Sequence, residues 1–551
     1  MKPVWLDSYP NAVDRAPVLP ADSVPDLIRD SCKRFADREA FWSMGRSMTF
    51  GETWELSQAV ANWLGRQGLA PGERVAIMLP NVLAFPVITY GVLSAGCVAV
   101  NVNPQYTPRE LAHQVRDAGA RTLFVWEPAA AVVEKSLAEL ELDRVVTVSP
   151  KALITGRGAD GQGVSRGPAP VWWVLEDVLA DGAKGESPRL PAEPTRPVFL
   201  QYTGGTTGIS KGAVLADRNV LAALMLQFAW TGPFLPPDRG PHRKITALPL
   251  YHVAALMTGM FRSLLDGSCC VLIADARNVD ALVEILATQR FTVITGVNTL
   301  YNALLHHPRI GDVDFSRCLL SAAGATATQR AVADRWLALT GMSIIEGYGL
   351  TETCGLVSMQ APDGRPFNGS VGLPLPLTEI SIRDSEDGEL PLGETGEVCV
   401  RGPQVMAGYW NRAEESAAVM TSDGFLRTGD IGNVDGEGYL RICDRSKDMI
   451  LVSGFNVFPS EIEGLLLQHS KVLEAAVIAV PDDCSGEVPA AFVVKRDPSL
   501  TASELQAFCA GQLTAYKRPK WIEFRDALPK TPVGKILRRA LRDEARRHLP
   551  Q

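Results

Sequence analysis

The stretch Tyr202-Thr203-Gly204-Gly205-Thr206-Thr207-Gly208-Ile209-Ser210-Lys211-Gly212 follows an apolar run, Val198-Phe199-Leu200, that reads as a buried strand. Glycine permits the dihedrals that turn backbone N–H groups toward an oxyanion. Thr203, Thr206 and Thr207 add hydroxyl donors, and Lys211 adds a point charge. The order of the second glycine and the lysine is wrong for a Walker loop. A flexible polar turn accounts poorly for so many hydroxyls and a lysine directly after a strand.

Around this loop, helix-like and strand-like segments alternate. Pro25 to Ala36 and Thr53 to Gln67 have helical spacing, whereas Arg74 to Leu79, Val98 to Val102 and Thr122 to Trp126 are short apolar runs. The alternation predicts α/β architecture with mainly parallel sheets. Residues 155–170 and 182–197 read as loops, with Trp172-Trp173 between them. Packing under a long loop is favoured for that pair over a foot at a membrane interface.

After Asp430 the texture changes. Asp444-Arg445-Ser446-Lys447-Asp448 forms a polar joint. Beyond it lie predicted strands at Met449 to Val452, Ala475 to Val480 and Ala490 to Lys495, a helix from about Ser460, and a capped helix start at Thr501-Ala502-Ser503-Glu504. The expected division is a large domain over 1–446 and a small α+β domain over 447–551, with the joint as hinge.

The bulk composition agrees. A chain of 551 residues exceeds one hydrophobic core. With 46% hydrophobic and 21% charged residues it reads as globular. The net charge of −8 argues against a nucleic-acid partner. The ten cysteines have no zinc spacing and suit free thiols in a reducing compartment. Residues 83–102 and 245–265 are apolar, but Pro86, Gly91, Gly96, Pro249, His252 and Arg262 interrupt them, which favours buried elements over membrane spans. The N-terminus has no signal-like apolar region, so the chain reads as cytoplasmic.

Two further strings carry chemistry. In Glu346-Gly347-Tyr348-Gly349-Leu350-Thr351-Glu352 the glycines let backbone approach a ligand, and the carboxylates suit a hard cation. In Pro529-Lys530-Thr531-Pro532-Val533-Gly534-Lys535 a Pro/Gly turn presents Lys535. Thr428-Gly429-Asp430 offers one carboxylate able to accept from two hydroxyls.

Together these strings resemble the adenylate-forming superfamily of acyl-CoA synthetases, peptide-synthetase adenylation domains and luciferases. The resemblance implies a large N-terminal α/β domain with a β-barrel-like subdomain and a small mobile C-terminal domain. It implies that Thr203, Gly204, Gly205, Thr206, Thr207 and Lys211 cradle the phosphates of ATP. Tyr348, Gly324 and Ala325 would face adenine, with Glu346 and Gly347 beside them; Thr351 would meet the α-phosphate and Glu352 would hold Mg²⁺. Asp430 would reach ribose, and Arg445 ribose or phosphate. Lys535 would meet the carboxylate and α-phosphate, so Lys535, Glu352 and Thr207 are the implied catalytic residues. Lys447 would be the pivot that later exchanges Lys535 for Ser453, Gly454 and Phe455 at a coenzyme A channel.

The strings Leu248 to Val253, Thr295 to Leu305, Arg401 to Trp410 and Ser453 to Val457 resemble bacterial long-chain fatty-acyl-CoA ligases in particular. On that basis Tyr251, His252, Val297 and Gly349 are the acyl residues, and a medium- to long-chain fatty acid, with long favoured, is converted to acyl-CoA with release of AMP and pyrophosphate. Transfer to a carrier protein, an aryl acid as substrate, and a non-catalytic acyl- or nucleotide-binding role are the alternatives. Peripheral membrane association and a homodimer stay open.

Overall fold

Short apolar runs become the strands of two large sheets. The computed structural model describes residues 3–154, 170–183, 190–203, 210–365, 367–482, 485–531 and 534–548. A seven-stranded sheet runs in the order Val171–Val174, Arg144–Val148, Thr122–Trp126, Arg74–Met78, Val98–Asn101, Pro197–Tyr202 and Gly212–Ala216. Only its last pair is antiparallel. Alternate residues of these strands enter different cores. Val75, Ile77, Phe124 and Val146 join one cluster, while Ala76, Met78, Leu123 and Val145 join another. Successive strand residues point to opposite faces, so continuous apolar runs mark a sheet covered on both sides.

The second sheet has nine strands. Its centre is parallel, with Cys269–Leu272, Arg243–Thr246, Val293–Gly296, Leu320–Ala323 and Ile344–Leu350 as neighbours. The expected barrel-like subdomain takes the form of a four-stranded antiparallel sheet, Glu379–Arg383, Gly396–Arg401, Leu426–Val434 and Leu440–Arg445.

The C-terminal segment forms a separate five-stranded sheet from Phe455–Val457, Ile450–Val452, Gly486–Lys495, Val472–Asp482 and Trp521–Arg525. It too is covered on both faces: Val477 and Val493 pack in one cluster, Ile478 and Phe492 in the other. The helix Ala502–Ala510 starts where expected, with the Thr501 hydroxyl accepting from the Glu504 N–H at 3.2 Å.

Residues 83–102 become the buried helix Ala84–Ser94 and the strand Val98–Asn101. Residues 245–265 hold a strand end and a π-helical turn over Leu256–Phe261. Among the described residues no helix is long and apolar enough to cross a membrane. Trp173 packs edge-on to Trp63 at 5.5 Å, in a strand rather than under a loop. The nine described cysteines are free, and all but Cys443 are buried. Residues 155–169, read as loop, and 184–189 lie outside the described residues.

Candidate active site

The parallel strands Val293–Gly296, Leu320–Ala323 and Ile344–Leu350 end on one edge of the second sheet. That edge is where open α/β sheets bind ligands. Val297, Gly324 and the 346–352 string therefore emerge together. Gly324 backs onto Gly347 so closely that a Cβ there would lie 3.1 Å from the Gly347 carbonyl. Ala325 follows at φ 65°, a strained value for a residue with a side chain. Glu346 is buried and accepts from the Thr328 N–H at 2.5 Å, bracing this turn from behind. Burial pushes its carboxyl up to about 7. Gly349 leaves no room for a side chain, since a Cβ would sit 1.8 Å from the Gly355 carbonyl.

The glycine-threonine loop springs from the Tyr202–Gly212 end of an antiparallel pair. Its base is closed by the Thr203 N–H donating to Lys211 at 3.0 Å. His113 Nε2 donates to the Ser210 carbonyl at 3.0 Å. Gly204, Gly205, Thr206 and Thr207 lie outside the described residues.

A segment that sequence reasoning gave no chemical role lies along the strand that follows this loop. Residues 405–412 are stitched to the strand after the loop, with the Trp410 N–H on Gly212 at 2.8 Å and the Val214 N–H on Gly408 at 2.9 Å. The Met406 N–H also donates to the Glu352 carbonyl at 2.8 Å. Tyr409 is thereby set between two of the expected residues. Its hydroxyl donates to Glu352 Oε1 at 2.7 Å, and Lys211 Nζ lies 5.2 Å from its ring centre. Lys211 also forms an ion pair with Glu415. Glu352 sits in the single turn Thr351–Thr353, held by the Leu350 N–H on Thr353 Oγ1 at 3.0 Å.

On the other side of the same strand, the Tyr348 hydroxyl donates to Asp430 Oδ2 at 2.7 Å. Arg445 Nε holds Asp430 Oδ1 at 2.9 Å. Burial first, and then the Asp430 carboxylate, hold the Tyr348 hydroxyl well above its ordinary value, so it stays neutral. Lys535 comes to this cluster from the small domain. Its half-buried ammonium feels Arg445 and Asp430 in the large domain, and Arg538 and Asp448 close to it in sequence or space. Burial is the main reason its pKa falls to about 8, and Arg445 is the next. Gly534 makes the approach possible: its φ is 79°, and a Cβ would lie 2.6 Å from Thr299 Oγ1 and 3.5 Å from Val297 Cγ2. The two lobes meet beside the expected acyl residues.

Among these, Tyr251 and Val297 are buried. His252 packs against the Tyr251 ring at 4.7 Å, and burial lowers its pKa to about 4, so its imidazole is neutral at pH 7. The Ser453-Gly454-Phe455 turn stands apart. Phe455 is 56% exposed and stacks on Tyr516 at 4.8 Å, and the Ser453 N–H donates to Ser485 at 2.8 Å, all within the small domain. Lys447 is exposed in the turn Ser446–Asp448 between the two lobes' sheets. Across that turn the Ser460 N–H donates to Asp444 Oδ2 at 2.9 Å.

The sequence pattern of AMP-binding enzymes matches residues 28–410, and that of the AMP-binding enzyme C-terminal domain matches residues 461–535. The chain belongs to the AMP-binding enzyme family. It is 46% identical over 562 residues to a long-chain-fatty-acid–CoA ligase of Escherichia coli O6:H1, covering 99% of each chain. Among solved structures, it resembles ATP-bound MatB from Rhodopseudomonas palustris with a TM-score of 0.83 at 28% identity, covering 95% of this chain and 99% of that one. Against apo MatB, with the same identity and coverage, the TM-score is 0.73. The arrangement of this AMP-binding enzyme is thus nearer the ATP-bound form of that relative.

The fold therefore gathers Lys211, Glu352, Tyr348, Asp430, Arg445, Lys535 and Val297 around one strand end, and leaves Ser453–Phe455 outside. Tyr409, Glu415 and His113 were missed. Tyr409 stood in a string noted only for its likeness to fatty-acyl ligases; Glu415 and His113 had no local signal.

Proposed function

We propose that the chain activates a long-chain fatty acid with ATP as acyl-AMP and transfers the acyl group to coenzyme A. The observation that carries this reading is the approach of Lys535 to Asp430 and Arg445 at the strand end leading to Glu352. That places a cation from the small domain beside the proposed nucleotide residues of the large one.

In the first half-reaction a carboxylate oxygen attacks the α-phosphorus of ATP and pyrophosphate leaves. Two anions must meet, so the barrier is electrostatic. Thr203 to Thr207 and Lys211 hold the phosphates, Gly324, Ala325 and Tyr348 the adenine, and Asp430 with Arg445 the ribose. Lys535 binds the incoming carboxylate and an α-phosphate oxygen, and Thr351 and Thr207 donate to the α-phosphate. Glu352 suits magnesium, because its oxygens are hard donors and Oε2 has no protein partner among the described residues. The ion, when bound, supplies neutralising charge at the phosphate oxygens.

The acyl chain runs past Tyr251, His252, Val297 and Gly349. Neutral His252 acts there as a hydrogen-bonding and packing group, not as a counter-charge. Each buried methylene adds about 0.8 kcal/mol, which favours a long chain. In the second half-reaction the small domain turns about Lys447, withdraws Lys535 and brings Ser453, Gly454 and Phe455 toward the channel. The Asp444–Ser460 bond spans the pivot and breaks in that motion. The thiol then attacks the mixed anhydride and AMP leaves.

The test is AMP release with coenzyme A across acyl lengths and aryl acids, with Lys535→Ala assayed in each half-reaction. The expected result is a long-chain preference, and loss of adenylation by about a hundred- to a thousandfold with thioester formation from supplied acyl-AMP largely retained. Equal loss in both halves would refute the exchange of surfaces, and preference for an aryl acid would refute the substrate class.

A further inference from the structure

The lysine of the phosphate loop is engaged by an anion of the protein itself. Lys211 Nζ pairs with Glu415, on the short helix Ala413–Ala418. Glu415 is fixed from its other side by Arg412 Nε at 3.4 Å. Arg412 in turn holds Asp117 at 2.6 Å, and Asp117 accepts from the Tyr202 hydroxyl at 2.7 Å, at the root of the loop. Tyr409 lies beneath Lys211, with its ring 5.2 Å from Nζ and its hydroxyl on Glu352. A carboxylate is thus anchored next to the cation of the glycine-threonine loop, with an aromatic ring beside the lysine.

We propose that Glu415 is a positioning residue that acts through Lys211: an internal anion that takes the lysine back from pyrophosphate and so speeds release of that product. The idea rests on the reading of Lys211 as a phosphate contact. Attack at the α-phosphorus leaves a highly charged product in the grip of the loop. A cation that must let go is helped by a carboxylate ready to take the place of the departing oxygen. The pair is suited to exchange because it is weak. The side chains of Lys211 and Glu415 are 36% and 40% exposed, and such exposed pairs alter binding by about two- to fivefold. A buried pair would shut the nucleotide out, and no pair would leave pyrophosphate bound for longer.

The rival explanation is that Glu415 only anchors Arg412. A double-mutant cycle separates the two, because a direct competitor loses its effect once the lysine is gone. Pyrophosphate binding to the full chain is measured by calorimetry with magnesium present, and as inhibition against ATP, for wild type, Glu415→Gln, Lys211→Gln and the double variant. Expected are binding about two- to fivefold tighter in Glu415→Gln, weaker in Lys211→Gln, and no further effect of Glu415→Gln when Lys211 is replaced. The KM for the fatty acid stays unchanged. Unchanged or weaker binding in Glu415→Gln, with Lys211→Gln impaired, overturns the proposal. So does tightening that persists without Lys211. If Lys211→Gln binds pyrophosphate as wild type does, the phosphate-site reading itself falls and takes the proposal with it.

Discussion

Raising the pH above 8 is expected to switch off adenylation by deprotonating Lys535. Burial and the neighbouring Arg445 lower its pKa to about 8, against partial support from Asp430 and further opposition from Arg538. A group with that pKa carries its proton in about nine-tenths of molecules at pH 7 and about one-tenth at pH 9. The rate of the first half-reaction at low substrate, which reports the free enzyme, then falls about tenfold per pH unit on the alkaline side. The assay is pyrophosphate formation without coenzyme A from pH 6.5 to 10. Omitting coenzyme A matters, because its thiol becomes more reactive over the same range and would mask the loss. Replacing Arg445 by Gln removes the largest charge that depresses Lys535 and moves the alkaline limb upward, even as ATP binds less well. Loss of this proton does not itself unfold the chain. Below pH 8 both folded and unfolded states hold this proton; between about 8 and the ordinary lysine value only the unfolded state does, so the contribution of Lys535 to stability rises with pH there. An alkaline limb above pH 9.5, or one that Arg445→Gln leaves in place, would refute the reasoning.

Two substitutions test other joints of the site. Gly534→Ala puts a Cβ in left-handed backbone and 2.6 Å from Thr299 Oγ1, so it pushes the Lys535 loop off the large domain. The left-handed penalty of about 1–2 kcal/mol alone predicts about a tenfold loss of adenylation, with thioester formation from supplied acyl-AMP spared. Tyr409→Phe keeps the ring beside Lys211 but deletes the 2.7 Å bond to Glu352. The bond is present before any ion binds, so only part of the roughly 1.5–3 kcal/mol that a hydrogen bond to a charged group is worth enters the affinity, and half-saturation by magnesium, read from nucleotide binding, should rise a few-fold. An unchanged magnesium dependence would remove Tyr409 from the site.

The elements were legible where local chemistry decides them. Thr122 to Trp126 forms a strand over the predicted span, and Thr501 caps its helix as the Thr-x-x-Glu spacing requires. Apolar runs of this kind are buried on both faces and leave little ambiguity. What the sequence hid was long-range. Nothing local relates Tyr409 to Glu352 or Glu415 to Lys211, because those contacts depend on a segment laid across the strand after the loop. Glu346 shows the converse. It stands in the string proposed to bind nucleotide, yet its carboxylate faces the Thr328 N–H behind the turn. Spacing placed it at the site, and only the fold reveals which way it points. The strand at Trp172-Trp173 was missed because its partner, Arg144–Val148, lies upstream of a long intervening segment.

The arrangement also explains how a chain of net charge −8 can handle a polyphosphate. The global field repels the ligand, so binding must come from local dipoles and a few cations. Yet each cation at this site has an anion already in place: Glu415 for Lys211, Asp430 for Arg445, and Asp430 with Asp448 near Lys535. If these residues hold ATP as proposed, it meets paired groups and gains only the difference between its own contacts and those it replaces. That difference is largest where charge accumulates in the transition state, between carboxylate and phosphorus, and small for the ground-state phosphates. Interactions stronger in the transition state than before it raise the rate, whereas uniform grip only slows release. On this proposal, resident anions at Lys211 and Arg445 weaken uniform grip on nucleotide and pyrophosphate. On the proposed reading, Lys535, carried on a separate lobe and held near its titration point, is the cation whose attraction is spent on the reacting atoms and then taken away.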